Sequence, residues 1–282
     1  MSAIFLSGKE CSKYRKLAIK EEISDMRYEP CLAIIEVGDD FASGVYIRNK
    51  LKACEEVGIE TKVYRFDSGI KQDVLEDNIK DICSRYDINT VLLQLPVPEY
   101  LNEDRLVSLI PPEKDADCFS SENFSNLITG KSTFGPCTPF GIITLLDFYG
   151  IKIPGRHCVV VGRSNIVGKP MASMLLNRDA TVTICHSRTR NLPQICRQAD
   201  ILISAVGKKG FITADFVKPG ATVVDVGINR DVNGKVCGDV DTNSVASIAE
   251  YITPVPGGVG LMTVTSLLEN VLYLTKRQRH QK

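Results

Sequence analysis

Short, almost uniformly apolar segments recur along the second half of the chain and constrain its fold more than any other feature. Such segments are typical of strands buried on both faces of a parallel sheet. They are HCVVVG (157–162), ATVTICH (180–186), ADILISAVG (199–207) and ATVVDVG (221–227). Together with a helix from about Lys169, they predict a Rossmann-like, doubly wound sheet.

The first third of the chain alternates in the same way between apolar runs and helix-like stretches. The runs are CLAIIEV (31–37), TKVYRF (61–66) and TVLLQLP (90–96). A loop-rich passage from Pro111 to Pro139 is the natural domain boundary, and LMTVTSLLENVLYLTK (261–276) indicates a closing helix. The pattern predicts an α/β protein of two βαβ-type domains with a cleft between them. We expect one domain over 1–139 plus the helix 262–282, and the other over 140–261.

Composition excludes several classes of function. The 34 basic and 34 acidic residues cancel, so no overall field favours nucleic acid or an anionic membrane. No apolar run is long enough to span a membrane, and the start of the chain lacks the order of a signal peptide, which predicts a cytoplasmic location. Ten scattered cysteines without a CxxC pair, and only three histidines, indicate reduced structural thiols and no metal site.

The stretch VGRSNIVGKP (161–170) lies between a predicted buried strand and a helix, where backbone N–H groups bind the pyrophosphate of a dinucleotide. Gly162 and Gly168 are six residues apart, so the GxGxxG fingerprint is only half met. Taken alone, the motif also fits a tight turn with no ligand.

The end of the next predicted strand favours NADP over NAD. NAD enzymes usually place a carboxylate there for the ribose 2′-OH, whereas this chain has His186, Ser187 and Arg188. Ser187 can donate a hydrogen bond to a 2′-phosphate, and Arg163 or Arg188 can form charge-assisted bonds with it. For Arg188 alone, a merely solvated side chain is an equally good interpretation.

Four residues in the first half are candidates for the chemistry. Tyr46 and Lys50 are four residues apart on a predicted helix and therefore share a face, although packing with a solvated ammonium is the usual use of such a pair. Gln94 lies at the carboxyl end of an apolar strand and could orient Lys50. Asp117 could accept two N–H bonds from a pterin-like edge, but a turn-capping Asp is the commoner case.

A collinear set of motifs covering nearly the whole chain resembles the methylenetetrahydrofolate dehydrogenase/cyclohydrolase family. The motifs are VGDDFASGVYIRNKLKACEEVGI, LLQLPVP, PEKDAD, GPCTPFGI, VVVGRSNIVGKPMA, CHSRT, VVDVGINR, GKVCGDV and YITPVPGGVG. The resemblance implies a folate-binding catalytic domain (1–139 plus 262–282), an NADP-binding domain (140–261), a homodimer and a role in one-carbon metabolism and purine biosynthesis.

The resemblance also implies roles for single residues. Tyr46 would stack on the folate, Lys50 would be the central catalytic residue with Gln94 as its partner, and Asp117 would hold the pterin. Contacts to NADP are implied for Gly162, Arg163, Ser164, Ser187 and Ile228. Pro256 and Gly257 would border the substrate.

Three departures from the family pattern lie in these motifs. Cys118 occupies the place of a usual glycine, after Ala116 in place of Val; Ser125 replaces a glycine; and Leu261 replaces a proline. They put the cyclohydrolase more in doubt than the dehydrogenase. Two other interpretations stay open on the residues alone: an NADP dehydrogenase of another small substrate, and a binding protein that has no need of Lys50.

Overall fold

The computed structural model describes residues 2–38 and 41–280 of the 282. In these residues the strands are β1 Ile4–Phe5, β2 Cys31–Val37, β3 Glu60–Phe66, β4 Thr90–Leu93, β5 His157–Val161, β6 Thr181–Cys185, β7 Ile201–Ser204, β8 Thr222–Asp225, β9 Asn229–Arg230, β10 Val236–Cys237 and β11 Tyr251–Ile252. The helices are α1 Gly8–Ser24, α2 Phe41–Val57, α3 Gln72–Ser84, α4 Glu103–Ser108, α5 Ser121–Ile128, α6 Cys137–Phe148, α7 Gly168–Leu176, α8 Leu192–Cys196, α9 Thr242–Val245 and α10 Val259–His280, with a 3₁₀ turn at Ala214–Phe216.

The chain divides into two compact units. Unit 1 comprises Met1–Lys13 and Leu127–Thr263, and unit 2 comprises Tyr14–Asn126 and Val264–Lys282. Each unit contains a parallel sheet with connecting helices, so the predicted α/β class is confirmed.

Unit 1 is built on a six-stranded sheet in the order β1-β11-β8-β7-β5-β6, with all neighbouring strands parallel. From β5 the chain crosses first to β6 on one side and then to β7 on the other. This reversal is the topological switch point at which doubly wound sheets bind ligands. Along β5, Val160 packs in a core on one face and Val159 in a core on the other, as predicted for a strand buried on both faces.

The edge strand β6 corrects that prediction. It pairs with β5 alone, and Thr181 and Ile184 on it are exposed, Ile184 by 42% of its surface. Apolar composition by itself did not distinguish an edge strand from a central one.

Unit 2 has a three-stranded parallel sheet in the order β3-β2-β4. The central β2 is buried along its whole length, including Glu36, whose carboxylate accepts a hydrogen bond of 3.1 Å from Arg65 Nε. Leu75 and Ile79 of α3 are buried in the same core. The predicted run 90–96 is strand only as far as Leu93, and a cis bond joins Leu95 to Pro96.

The unit boundaries differ from the predicted domains at three places, of which the smallest is that residues 262 and 263 belong to unit 1. Residues 1–13 belong to unit 1 because β1 pairs with β11 and so extends the larger sheet. Residues 127–139 also belong to it, because the α6 residues Ile142 and Leu145 pack in the same core as Val160. Helix α1 was not predicted from the sequence, because its buried residues lie between many charged ones.

Within residues 2–38 and 41–280, no helix is both long and apolar enough to cross a membrane.

Candidate active site

Helix α2 carries the lysine singled out from the sequence. Lys50 is half-buried, and its Nζ donates a hydrogen bond of 3.0 Å to Gln94 Oε1, at the end of β4. Tyr46, one helical turn earlier, is 37% exposed. The structure therefore brings Lys50 and Gln94 together, and it places Tyr46 one turn away on the helix that carries Lys50.

Gln94 is held on both sides. Its backbone N–H donates to Ile35 O at 2.8 Å, which continues the ladder between β4 and β2 beyond the last strand residue. Its side-chain Nε2 donates to Leu95 O at 2.7 Å. Because the amide nitrogen is used in this way, the amide oxygen of a nearly buried side chain faces the Lys50 ammonium.

The loop that contains Asp117 is anchored by its neighbours. Ala116 N–H donates to Val91 O at 3.2 Å, and Asn270 Nδ2 of α10 donates to Ala116 O at 2.9 Å. Asp115 also stabilises this turn, because its Oδ2 accepts from the Ser120 N–H at 2.7 Å and from Asn123 Nδ2. Asp117 itself is half-buried. Asp115 and Asn270 were not predicted to anchor this loop, because no sequence pattern distinguishes them from other polar residues.

Cys118 occupies a backbone position that favours glycine. Its φ is 60°, in the left-handed region, and its side chain is fully buried. The structure therefore agrees with the expectation that glycine suits this place better. Burial raises the pKa of the Cys118 thiol well above its ordinary value, so it stays protonated and is a poor nucleophile.

The turn between β5 and α7 requires both of its glycines. Gly162 has a φ of 133°, and a Cβ there would collide with the carbonyl oxygen of Ala205. A Cβ at Gly168 would collide with the carbonyl oxygen of Gly162. Ser164 Oγ accepts from the N–H groups of Val167 and Gly168 at 3.2 and 3.3 Å, so this side chain satisfies two N–H groups at the start of α7.

A cavity of about 270 Å³ lies at the carboxyl ends of β5, β6 and β7. It brings together Arg163 and Ser187, as the sequence predicted for a nucleotide site, and it does not include Ser164, Arg188 or Ile228. Lys208 also lines the cavity and was not predicted from the sequence. The lining residues are Val161, Gly162, Arg163, His186, Ser187, Leu192, Ala205, Val206, Lys208 and Phe211.

The remaining candidates lie on two neighbouring segments of unit 1. Ile228 is 52% exposed just after β8, and a Cβ on Gly260 would lie 3.9 Å from its Cδ1. Pro256 is exposed and follows a cis bond, and Gly257 has a φ of 108°. The carbonyl of Gly257 accepts from the Gly8 N–H at 2.9 Å, which joins this loop to the start of α1.

Two buried carboxylates in unit 1 were not recognised as functional in sequence, although their motifs VVDVGINR and GKVCGDV were noted. Asp225 is 2% exposed and Asp239 is fully buried. Burial raises the pKa of Asp225 to about 6. The two residues are 14 positions apart, and no sequence pattern predicts that they contact each other.

The cysteines form no cross-links. All ten are free, and nine of them are buried. In the part of the chain that the structure describes, no group of three or more His, Cys, Asp or Glu side chains could hold a metal ion.

Comparison with known protein families decides what this arrangement belongs to. Residues 6–117 match the family described as tetrahydrofolate dehydrogenase/cyclohydrolase, catalytic domain, and residues 136–279 match its NAD(P)-binding domain. The chain belongs to the tetrahydrofolate dehydrogenase/cyclohydrolase family. This confirms the family suggested by the sequence motifs, and it identifies the region that contains the glycine turn and the cavity as part of an NAD(P)-binding domain.

Similar proteins agree with this membership. The bifunctional protein FolD of Moorella thermoacetica is 50% identical over 280 residues, which is 98% of this chain and all of that protein. The crystal structure of the bifunctional FolD dehydrogenase/cyclohydrolase from Campylobacter jejuni has a TM-score of 0.96 at 43% identity, covering 98% of this chain and 100% of the other. A Trypanosoma brucei methylenetetrahydrofolate dehydrogenase-cyclohydrolase, complexed with NADP and an inhibitor, has a TM-score of 0.94 at 35% identity over 99% of both chains.

Proposed function

We propose that this chain oxidises 5,10-methylenetetrahydrofolate to 5,10-methenyltetrahydrofolate with NADP, and hydrolyses the product to 10-formyltetrahydrofolate. The observation that carries the proposal is the hydrogen bond from Lys50 Nζ to Gln94 Oε1, in a chain whose two halves match the two domains of the family. The Moorella relative is named bifunctional, and the Trypanosoma structure contains NADP, which supports both activities.

The folate is proposed to bind through groups of two kinds. The exposed ring of Tyr46 offers a flat apolar face for stacking. The Asp117 carboxylate offers two acceptors for the adjacent amide and amine N–H groups of a pterin. Pro256, which is exposed, and Gly257 beside it are proposed as further substrate contacts, as the family resemblance implies.

The residues at the glycine turn fit a dinucleotide. Gly162 and Gly168 are required because backbone carbonyls pack against both positions, and such close packing is a feature of the glycine turns at which dinucleotides bind. NADP held at this turn would supply a nicotinamide as acceptor for the hydride of the methylene carbon. The contribution of the protein to this step is to hold two flat ligands in reacting geometry.

Arg163 and Ser187 support NADP as the coenzyme. Both line one cavity, and no carboxylate lines it with them, so a 2′-phosphate would meet a cation and a hydroxyl. Gly162 is proposed as a contact in the same cavity, with Ser164 at the start of α7 and Ile228 after β8 as further coenzyme contacts.

Hydrolysis requires proton transfers that Lys50 is placed to assist. Water adds to the cationic methenyl carbon and loses one proton. The resulting hydroxyl then loses its proton to become the formyl carbonyl, while the bond from that carbon to one ring nitrogen breaks and that nitrogen gains a proton. The net products are 10-formyltetrahydrofolate and one proton. We propose that Lys50 carries the proton between the two sites, while Gln94 fixes the direction of its side chain.

A second candidate function is dehydrogenation with weak hydrolysis. The φ of 60° at Cys118 favours it, because a side chain here occupies a left-handed position next to Asp117 where relatives in the family pattern have glycine. The two candidates share the oxidation step and differ only in the rate of hydrolysis.

The wider setting follows from the family. We propose that residues 1–139 with 262–282 serve the folate, and that residues 140–261 serve NADP. We also propose a homodimer in the cytoplasm that supplies one-carbon units for purine biosynthesis, with no nucleic-acid or membrane partner. Equal numbers of acidic and basic residues support the last point.

The direct test supplies methylenetetrahydrofolate with NADP or NAD to the purified protein and follows the methenyl product by absorbance. We expect both wild type and Arg163→Ala to oxidise methylenetetrahydrofolate. Wild type should prefer NADP over NAD, and Arg163→Ala should reduce this preference by about tenfold or more. Equal use of the two coenzymes by wild type would contradict the assignment of Arg163 and Ser187. No methenyl product would overturn the proposed function.

A further inference from the structure

The carboxylate of Asp239 is enclosed by hydrogen-bond donors from two segments. Its Oδ2 accepts from the N–H groups of Val206 and Gly207 at 2.7 and 3.1 Å, and its Oδ1 accepts from Lys208 N–H and Asn229 Nδ2, both at 2.9 Å. The side chain is fully buried, and none of the ion pairs among the described residues involves it. Ser204 Oγ also donates to Oδ2, at 3.4 Å, so the charge is compensated by backbone, amide and hydroxyl dipoles.

Three consecutive N–H groups that converge on one anion form a backbone nest, which in many proteins binds a phosphate. Here the carboxylate of the protein fills the nest formed by Val206, Gly207 and Lys208. The filled nest cannot bind a phosphate of the coenzyme. It fixes the path of the backbone through these residues instead.

That backbone forms a wall of the cavity described above. Val206 and Lys208 line it together with Arg163 on the glycine turn, and the carbonyl of Ala205 lies against Gly162. A shift of this wall would therefore change both the width of the cavity and the position of Lys208, whose ammonium lies 5.9 Å from the centroid of the Phe211 ring.

Asp239 is itself held in place by Asp225. The N–H groups of Gly227, Asp239 and Val240 each donate to the Asp225 carboxylate at 2.9 Å. A Cβ at Gly227 would collide with the Asp239 carboxylate, and a Cβ at Gly238 would collide with that of Asp225. The two carboxylates and two glycines interlock, so Asp239 has little freedom to move away from the nest.

We infer that Asp239 is a positioning residue for the coenzyme: it fixes residues 206–208 as the wall facing the glycine turn and, through Asn229, the strand that follows Ile228. The inference rests on the proposed function, because it takes the ligand of this cavity to be a dinucleotide. Asp239 touches no part of the coenzyme and acts only through the residues it holds.

The test measures binding of NADPH to the purified full-length protein by fluorescence titration. Asp239→Asn replaces one acceptor oxygen by a donor that faces N–H groups, so we expect the Kd for NADPH to rise by about tenfold or more. The KM for NADP should rise with it, while the KM for methylenetetrahydrofolate stays within about twofold. A loss of general stability would not separate the two KM values in this way.

Asp231→Asn is the matched control. Asp231 also accepts two backbone N–H bonds, from Asn233 and Lys235 at 2.8 Å each, but on the exposed turn between β9 and β10. We expect this variant to bind NADPH within about twofold of wild type. An unchanged Kd in Asp239→Asn, or the same rise in Asp231→Asn, would overturn the inference.

A measurement on the wild type keeps the inference testable if Asp239→Asn does not fold. Hydrogen exchange followed by mass spectrometry, without coenzyme, should show slow exchange of the amides of residues 206–208, because a buried carboxylate holds them. Exchange at the rate of an open loop would contradict it. If wild type binds neither NADPH nor NADH, the proposed function fails instead, and the two failures are thereby distinguished.

Discussion

The roles of single residues in this protein depend on their surroundings as well as on their type. Gln94 is an ordinary amide in sequence, yet its two hydrogen bonds to the backbone aim its oxygen at Lys50. Asp225 is an ordinary carboxylate, yet it is 2% exposed and receives three backbone N–H bonds. In both cases the surroundings decide the role, and the surroundings come from distant parts of the chain.

The buried carboxyl of Asp225 should make stability depend on pH. Burial raises its pKa to about 6 from an ordinary value of 3.8, against the opposing effect of its hydrogen bonds. The folded protein therefore holds this proton more tightly than the unfolded chain. The stabilisation is complete below the unfolded pKa and is lost as the pH rises through about 6, with a magnitude of about 3 kcal/mol.

Asp225→Asn cannot ionise and provides the comparison. We expect the free energy of unfolding of wild type, relative to this variant, to fall by about 2 kcal/mol between pH 4 and pH 7, measured by urea unfolding at each pH. The comparison also cancels the effects of other buried acids such as Glu269, whose pKa is raised by burial. Parallel pH curves for the two proteins would contradict the assignment.

Among the elements, the turn between β5 and α7 depends on three specific residues. Gly162 and Gly168 allow carbonyl oxygens to approach the turn, and Ser164 accepts from two N–H groups at the start of the helix that follows. These contacts fix the backbone of the turn, as the proposed coenzyme site requires.

Gly162→Ala tests that requirement. The new methyl group would collide with the Ala205 carbonyl and force an unfavourable φ, so we expect the free energy of unfolding to fall by about 2–4 kcal/mol. Gly155→Ala is the control, because Gly155 also has a positive φ, of 75°, but no atom within 4 Å of its Cβ position. It should cost only about 1 kcal/mol. Equal losses in the two variants, measured by urea unfolding, would show that the close approach at Gly162 is unimportant.

At the scale of the whole molecule, sequence patterns predicted those elements that are determined by residues close together in the sequence. The strands β2 and β5 begin at the predicted residues, because turn residues bound each continuous apolar run. The glycine turn and the pair Lys50 and Gln94 were also recognisable, the first from its glycines and the second from helical spacing and the end of a strand. The family motifs added the expected roles.

Features that depend on distant residues were not predictable from local patterns. The two-residue strands β1 and β11 are too short to have a pattern, and their pairing moves residues 1–13 into unit 1. The exposure of β6 follows from its place at the edge of the sheet. The interlock of Asp225 with Asp239 requires that two loops meet, which spacing alone does not indicate.

The proposed role of Lys50 is to transfer protons during hydrolysis, and hydrolysis of supplied methenyltetrahydrofolate tests it most directly. The assay compares wild type, Lys50→Met and Lys52→Met, since Lys52 is an exposed lysine on the same helix. We predict that Lys50→Met lowers kcat by about a hundredfold or more, as for loss of a group that transfers protons, while Lys52→Met stays within about twofold of wild type. Hydrolysis by Lys50→Met at the wild-type rate would contradict the account.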